Sequence, residues 1–250
     1  VLVSYASGLN QKGWAYAFAI GNRWGESGYS DATFYDAQSM MLSLEKVFDN
    51  QSLNLTIISA PNSRGKSSPN TQEVYDLMGI RYNEYWGNQD GKQRNSRVKR
   101  LEEPIFMLNH EIEFSANTTL ATSVSYQMGE LGNSRLDYPG GANPSPTYYQ
   151  NLPSYFLADT DGPDYAGAYL AEEQLRMDGQ IDWNRLYDAN ANTVANGLPA
   201  AYVLYEDRSD DKQFMLNSSF KTFLTDQVSV VAAVTHQNLT SENFASIQDM

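Results

Sequence analysis

The sequence predicts an all-β fold of about eight antiparallel strands. Two observations predict it: segments of alternating side chains recur along the chain, and their connections alternate between tight turns and long loops. The clearest segment has large apolar residues on one face and small residues on the other, and the large ones are Trp14, Tyr16, Phe18 and Ile20. A period of two residues is typical of a strand, because successive side chains point to opposite faces.

The same alternation predicts strands over residues 1–8, 14–24, 37–48, 53–60, 104–114, 119–128, 213–223 and 228–239. Residues 9–13, 49–52, 115–118 and 224–227 form short connections, whereas residues 25–36, 61–103 and 129–213 form long ones. The short connections fall at one end of the strands and the long ones at the other. This sorting favours an antiparallel transmembrane β-barrel segment with short periplasmic turns and long structured extracellular loops.

Aromatic residues near the strand ends give a second indication of a membrane barrel. Trp14, Phe48 and Phe114 lie beside short turns, while Trp24 and Tyr126 lie beside long loops. A barrel in lipid carries rings at both water interfaces. The alternative is that aromatic residues simply favour strands. On the membrane interpretation, the large apolar side chains contact outer-membrane lipids and the small or polar ones line an enclosed cavity.

The long loops are expected to fold. They contain fourteen of the seventeen tyrosines, and disordered segments are poor in aromatic residues. Helices are predicted at 70–78, 164–174 and 182–190, with Asp182 as the N-cap of the last. In the second helix, Tyr165, Ala168, Tyr169 and Leu175 are expected to share one face.

Aromatic side chains in the two longest loops are the candidate contacts for a ligand or a partner protein. Tyrosine and tryptophan combine an apolar ring with a polar group, which suits recognition surfaces. The candidates are Tyr75, Tyr82, Tyr85, Trp86, Tyr148, Tyr149, Tyr155, Tyr165 and Tyr169.

Composition excludes several classes of protein. The formal charge of −13 argues against a nucleic-acid binder, and the chain has no cysteine for disulfides or thiolate metal sites. No run of about 18 apolar residues is present, so a transmembrane helix is not expected. Residues 61–102 include eight basic and five acidic residues, whereas residues 129–212 include five basic and fourteen acidic residues. These two loops are therefore expected to attract each other.

Enzymatic and metal sites are hard to find in this sequence. The two histidines, His110 and His236, lie in different predicted strands without metal-ligand spacing, so we expect neither an enzyme nor a cofactor. A weak calcium candidate comprises Asp159, Asp161 and Asp164. The glycine and glutamate of a calcium-binding helix–loop–helix site are missing, and a surface turn explains the same residues.

Four sequence segments in the long loops resemble those of a known family. Residues 64–77 (RGKSSPNTQEVYDL), 79–87 (GIRYNEYWG), 164–170 (DYAGAYL) and 202–208 (YVLYEDR) resemble the barrel of TonB-dependent outer-membrane receptors, in the subfamily with a carboxypeptidase-regulatory-like N-terminal domain. The resemblance implies a plugged barrel of roughly 22 strands in the bacterial cell outer membrane. Residues 1–250 would then be a fragment of one barrel domain, and TonB would contact a part outside it.

Three functions remain open at this point. The first is a transporter or receptor whose loops bind a ligand, or a lid lipoprotein, for energised import. The second is a barrel scaffold subunit of an outer-membrane assembly or secretion complex. The third is a soluble β-sandwich that binds carbohydrate.

Overall fold

Antiparallel β-sheet dominates the computed structural model, which describes residues 1–158 and 160–250. Strands account for 53% of the chain and helices for 17%, so the fold is all-β-like. The strands are β1 (Leu2–Ala6), β2 (Trp14–Gly25), β3 (Tyr35–Val47), β4 (Gln51–Ser59), β5 (Asn62–Gly65), β6 (Trp86–Gln89), β7 (Lys92–Asn95), β8 (Val98–Glu102), β9 (Ile105–Ser115), β10 (Thr118–Asp137), β11 (Val203–Thr225) and β12 (Val228–Asp249).

Eight of these strands form one antiparallel series in the order β1-β2-β3-β4-β9-β10-β11-β12. They correspond to the eight strands that alternation predicts. Residues 7–13, 48–50, 116–117 and 226–227 connect neighbouring strands at one end of the sheet, which we call the turn end. The long connections all lie at the opposite end, the loop end. The predicted sorting of short and long connections is therefore confirmed.

The short strands β5 and β8 continue β4 and β9 toward the loop end. Gln51 pairs with Ile112, and Asn62 pairs with Leu101. The two pairs are eleven residues apart on both strands, so the register of β4 with β9 continues into β5 with β8 without a shift. The interruptions fall at Pro61 and Pro104. Proline has no N–H to donate to the ladder, which explains why the regular hydrogen bonding lapses there.

Three strand predictions are wrong in their limits, and one of them is β12, which continues beyond the predicted end at residue 239 to Asp249. Strand β10 continues to Asp137 and β11 begins at Val203, so the loop between them is residues 138–202 and not 129–213. Residues 61–103, predicted as a structured loop with one helix, contain that helix and four short strands that were not predicted. The extra strand residues of β10 and β11 are largely polar on both faces, and pairing with each other, with β8 and with β12 places them in the sheet.

The register aligns apolar side chains into rows across the sheet. One row crosses seven strands through Tyr5, Phe18, Leu42, Ile57, Phe106, Tyr126 and Phe214. We call this the apolar face. The adjacent row on the opposite face, the polar face, contains Ala17, Ser43, Thr56, Met107, Ser125 and Met215.

The apolar face is open to the surroundings. Trp14 is 42% exposed and Leu42 is 45% exposed. In the part of the chain that the structure describes, the buried hydrophobic clusters lie at the loop end, and no second sheet covers the apolar face. The β-sandwich, the third alternative from the sequence, requires two sheets packed face to face, and the described residues do not form such a core.

Across residues 1–158 and 160–250, four α-helices lie in the connections at the loop end: α1 (Gln72–Met78), α2 (Pro153–Leu157), α3 (Tyr165–Asp178) and α4 (Trp183–Ala195). The three predicted helices are present, and Asp182 caps α4 as expected by accepting a hydrogen bond from the N–H of Arg185. Helix α2, with Pro153 in its first turn, was not predicted. None of the helices in the residues described has the length and hydropathy of a membrane-spanning segment.

Candidate functional site

The connections at the loop end fold together into one layer, the cap, which comprises residues 26–34, 66–97 and 138–202. Two buried clusters hold it. The first contains Ile181, Trp183, Leu186, Ala201, Tyr202 and Leu204. The second contains Val74, Tyr82, Leu152 and Leu175. The second cluster joins residues 74–82 to Leu152 and Leu175, and Leu136 and Met250 pack against the first, so the prediction that these loops are structured is confirmed.

Two buried asparagines connect the first two parts of the cap. The side-chain N–H groups of Asn83 donate to the carbonyls of Asp31 and Lys66, at 2.8 and 3.0 Å. Those of Asn95 donate to the carbonyls of Ala32 and Lys66, at 3.1 and 2.8 Å. Each amide satisfies two backbone acceptors that are otherwise costly to bury, so both side chains fix the backbone rather than face a ligand.

Two glutamates connect the second part of the cap to the third. Glu73 in α1 accepts hydrogen bonds from the N–H and hydroxyl of Ser154, at 2.8 and 2.7 Å. It thereby supplies the N-terminal cap that α2 lacks from its own sequence. Glu84 accepts hydrogen bonds from the hydroxyls of Ser145 and Thr147.

An aromatic surface lies on the third part of the cap. The rings of Tyr148, Tyr149, Tyr155 and Phe156 form a chain of edge contacts, with centroids 4.7, 5.6 and 5.4 Å apart. A hydrogen bond with Tyr149 raises the pKa of Tyr148. The predicted residues Tyr148, Tyr149 and Tyr155 are therefore together, and Phe156, which was not predicted, joins them.

Helix α3 extends this surface. Tyr165 is 74% exposed, Tyr169 is 63% exposed, and Leu170 and Met177 beside them are equally open. Tyr165 and Tyr169 were expected to share one face with Ala168 and Leu175; in the structure only Ala168 and Leu175 are buried, and the two tyrosines are exposed. We call the exposed side chains of Tyr149, Tyr155, Tyr165, Tyr169 and Leu170 the aromatic patch.

The other four predicted aromatic residues lie elsewhere in the cap. Tyr82 and Trp86 are buried, and burial, followed by the charge of Glu84, raises the pKa of Tyr82. The Tyr75 hydroxyl accepts a hydrogen bond from the N–H of Asn70, and Tyr85 lies under the guanidinium of Arg97. These four side chains stabilise the cap, and the structure does not bring them to the aromatic patch.

The calcium candidate falls partly outside the described residues, since it includes Asp159. Of its other members, Asp164 caps α3 by accepting a hydrogen bond from the N–H of Gly167 at 2.9 Å. Within residues 1–158 and 160–250, no group of three or more His, Asp and Glu side chains is arranged to hold a metal ion. Helix capping explains the presence of Asp164 without a cation.

Among the residues that the structure describes, one ion pair joins the basic loop to the acidic loop, as their opposite charges predict. Arg100 Nη1 lies 3.7 Å from Glu206 Oε1, in a cavity of about 390 Å³ on the apolar face at the loop end. Arg208 lines the same cavity and pairs with Glu130 at 2.6 Å and with Asp210 at 2.9 Å. A belt of charged side chains thus follows directly after the apolar rows.

Comparison with known proteins adds no further assignment. No family model matches the chain, and neither the curated proteins nor the solved structures contain a significant match.

Proposed function

We propose that this chain is an eight-stranded segment of a transmembrane β-barrel in the bacterial outer membrane. The observation that carries the proposal is the apolar face, where rows of large side chains stay exposed across the sheet. Exposed apolar surface of this extent needs a partner, and hydrocarbon fits a face that ends in a charged belt. The cap then lies outside the cell and the turn end faces the periplasm.

We further propose that the barrel belongs to a TonB-dependent receptor, in which the cap binds a ligand or a lid lipoprotein for import. The aromatic patch supports this role because exposed tyrosines on a rigid base suit recognition. The buried clusters and the two asparagines provide that base. The family itself rests on the resemblance of the loop sequences.

The membrane orientation can be tested with spin labels, because the chain has no cysteine of its own. Leu42→Cys and its neighbour Ser43→Cys place a label on the apolar and the polar face of β3 in the full-length protein. We expect the label at Leu42 to collide with oxygen more than with a water-soluble nickel chelate, and the label at Ser43 to show less oxygen preference. Equal access of the chelate to both sites would contradict the proposal.

Val124→Cys and Ser125→Cys repeat the comparison on β10. The same alternation at both strands is needed, because a single exposed position can reflect local packing. Trp24→Cys, at the loop end, serves as the control for a position at the water interface.

A scaffold subunit of an outer-membrane assembly or secretion complex is the second candidate. It is favoured by the apolar character of Leu170 and Met177, which are 66% and 70% exposed beside the tyrosines and suit a protein interface. Purification from native membranes separates the two functions. A stoichiometric complex of several proteins favours the scaffold, whereas a lone barrel or a barrel with one surface lipoprotein favours transport.

A further inference from the structure

Four cations meet on the polar face at the loop end. Arg64 of β5 pairs directly with Lys99 of β8. Lys66 donates its backbone N–H to the carbonyl of Arg97 at 2.8 Å. Lys66 and Arg97 are therefore the next pair on the same face of the sheet, in the register of Arg64 and Lys99. Facing residues in an antiparallel ladder are about 5 Å apart, and same-face neighbours along a strand are about 7 Å apart. The four side chains therefore start from a rectangle of about 5 by 7 Å.

This arrangement is unfavourable in the absence of an anion, because like charges directly opposite each other destabilise a sheet. Among the residues described, none of the four makes an ion pair with a carboxylate. Lys66 donates to the side-chain oxygen of Asn133 at 2.6 Å, and Arg97 lies over the ring of Tyr85. Burial, followed by repulsion from Lys99, Arg64 and Arg97, lowers the pKa of Lys66.

The surrounding charge makes this cluster unusual. The chain carries a formal charge of −13, yet its cations concentrate here without acidic partners. A cavity of about 530 Å³ on the polar face is lined by Tyr35, the cross-strand partner of Arg64, and by none of the four cations themselves. Arg64 itself is exposed, so a solute can reach the cluster from solvent.

We propose that Arg64, Lys66, Arg97 and Lys99 bind a compact oxyanion with more than one negative charge, such as a phosphate group. Guanidinium and ammonium groups donate charge-assisted hydrogen bonds to phosphate oxygens, and the rectangle is small enough for one such group to reach all four. The site lies at the loop end, where β5 and β8 meet the cap, and binding there does not depend on the apolar face meeting lipid. A free phosphate and a phosphate carried by a larger solute have the same chemistry at this site.

The test uses the full-length protein in detergent and calorimetric titration with inorganic phosphate, pyrophosphate and glucose 6-phosphate. Binding of pyrophosphate that weakens with added salt is the expected result. Lys99→Gln should weaken it by at least about tenfold, since it removes a charge-assisted hydrogen bond. Lys92→Gln removes the same charge from β7 outside the cluster and should leave the affinity unchanged. Tighter binding of glucose 6-phosphate than of inorganic phosphate identifies a larger solute as the source, and the reverse identifies the free ion.

A second readout separates binding from folding. Without ligand, Lys99→Gln should raise the melting temperature, because it relieves the repulsion from Arg64; pyrophosphate should stabilise the wild type more than the variant. The proposal fails if no phosphate compound binds to the wild type. It also fails if Lys99→Gln lowers the unliganded melting temperature and leaves pyrophosphate affinity unchanged.

Discussion

Arg94 Nη2 lies 2.5 Å from Asp249 Oδ2, and this ion pair joins the cap to the last strand of the sheet across 155 residues of sequence. The Tyr187 hydroxyl donates to the same carboxylate oxygen at 2.6 Å. Arg94 also covers the ring of Trp183, with 4.2 Å from the guanidinium carbon to the ring centroid. One carboxylate thus holds a strand of the cap, helix α4 and β12 together.

The first prediction concerns the pH dependence of this contact. Burial alone would raise the pKa of Asp249, but hydrogen bonds from Tyr187 and Arg94 outweigh it and lower the pKa below its ordinary value of 3.8. The stabilising contribution is therefore complete above the ordinary pKa and is lost as pH falls from there through the folded-state pKa. We expect the melting temperature of the cap to fall more steeply below about pH 4 in the wild type than in Asp249→Asn.

Asp249→Asn should also lower the melting temperature at pH 7. Asp188→Asn, an exposed change on α4, is the control. The same steep acid dependence in Asp249→Asn as in the wild type would show that other carboxylates cause it.

The second prediction concerns the core of the cap. Trp183 is fully buried, and its Nε1–H donates to the carbonyl of Arg94 at 3.3 Å. Trp183→Ala should destabilise the cap by about 3–5 kcal/mol, because it leaves a cavity the size of an indole ring. Limited proteolysis within residues 138–202 measures the loss. Trp24→Ala, at a side chain that is 72% exposed, should change cleavage little.

A third prediction separates packing from recognition at Tyr82. Its hydroxyl is buried and lacks a hydrogen-bond partner within the described residues. Tyr82→Phe removes an unsatisfied polar group and should leave the cap as stable or stabilise it by about 1 kcal/mol, measured by thermal unfolding. Tyr82→Ala, which also removes the ring, should destabilise it. A clear loss of stability in Tyr82→Phe would mean that the hydroxyl has a partner.

The sequence could predict the strands in which large apolar residues alternate with small or polar ones, because the two faces of each strand differ in polarity. It could not predict the outer parts of β10 and β11, since residues 129–137 and 203–212 are largely polar without a clear alternation and become strand through pairing with their neighbours. Helix α2 was not predicted, because its five residues are too few to show a helical period. Pro153 in its first turn is the one helix-start signal that the sequence offers there.

The candidate site residues also divide into those that the sequence can predict and those that depend on tertiary packing. The nine aromatic candidates were predicted as one set, and the structure brings together Tyr148, Tyr149 and Tyr155, which are also close in sequence. Tyr82 and Tyr165 look equivalent as residue types, yet one is buried and the other is 74% exposed, and tertiary packing alone decides between them. The four-cation cluster depends on the register of β5 against β8, which the sequence does not display.

The last prediction concerns the turn between β1 and β2. Gly13 has φ of +74°, and a Cβ there would lie too close to the carbonyl oxygen of Val47. That side of the turn is occupied because Val47 donates its N–H to the carbonyl of Gly13 at 2.7 Å. Gly13→Ala should therefore cost more than the about 1–3 kcal/mol of an unfavourable backbone conformation alone.

Gly8 isolates the backbone cost. It has φ of +67°, but nothing lies within 4 Å of a Cβ placed there. Chemical unfolding of the full-length protein should rank the variants as Gly13→Ala least stable, Gly8→Ala intermediate, and Gly25→Ala, with open space and no positive φ, closest to the wild type. Equal losses at Gly13 and Gly8 would mean that β3 moves aside at no cost, and that the turn does not fix the β2–β3 spacing.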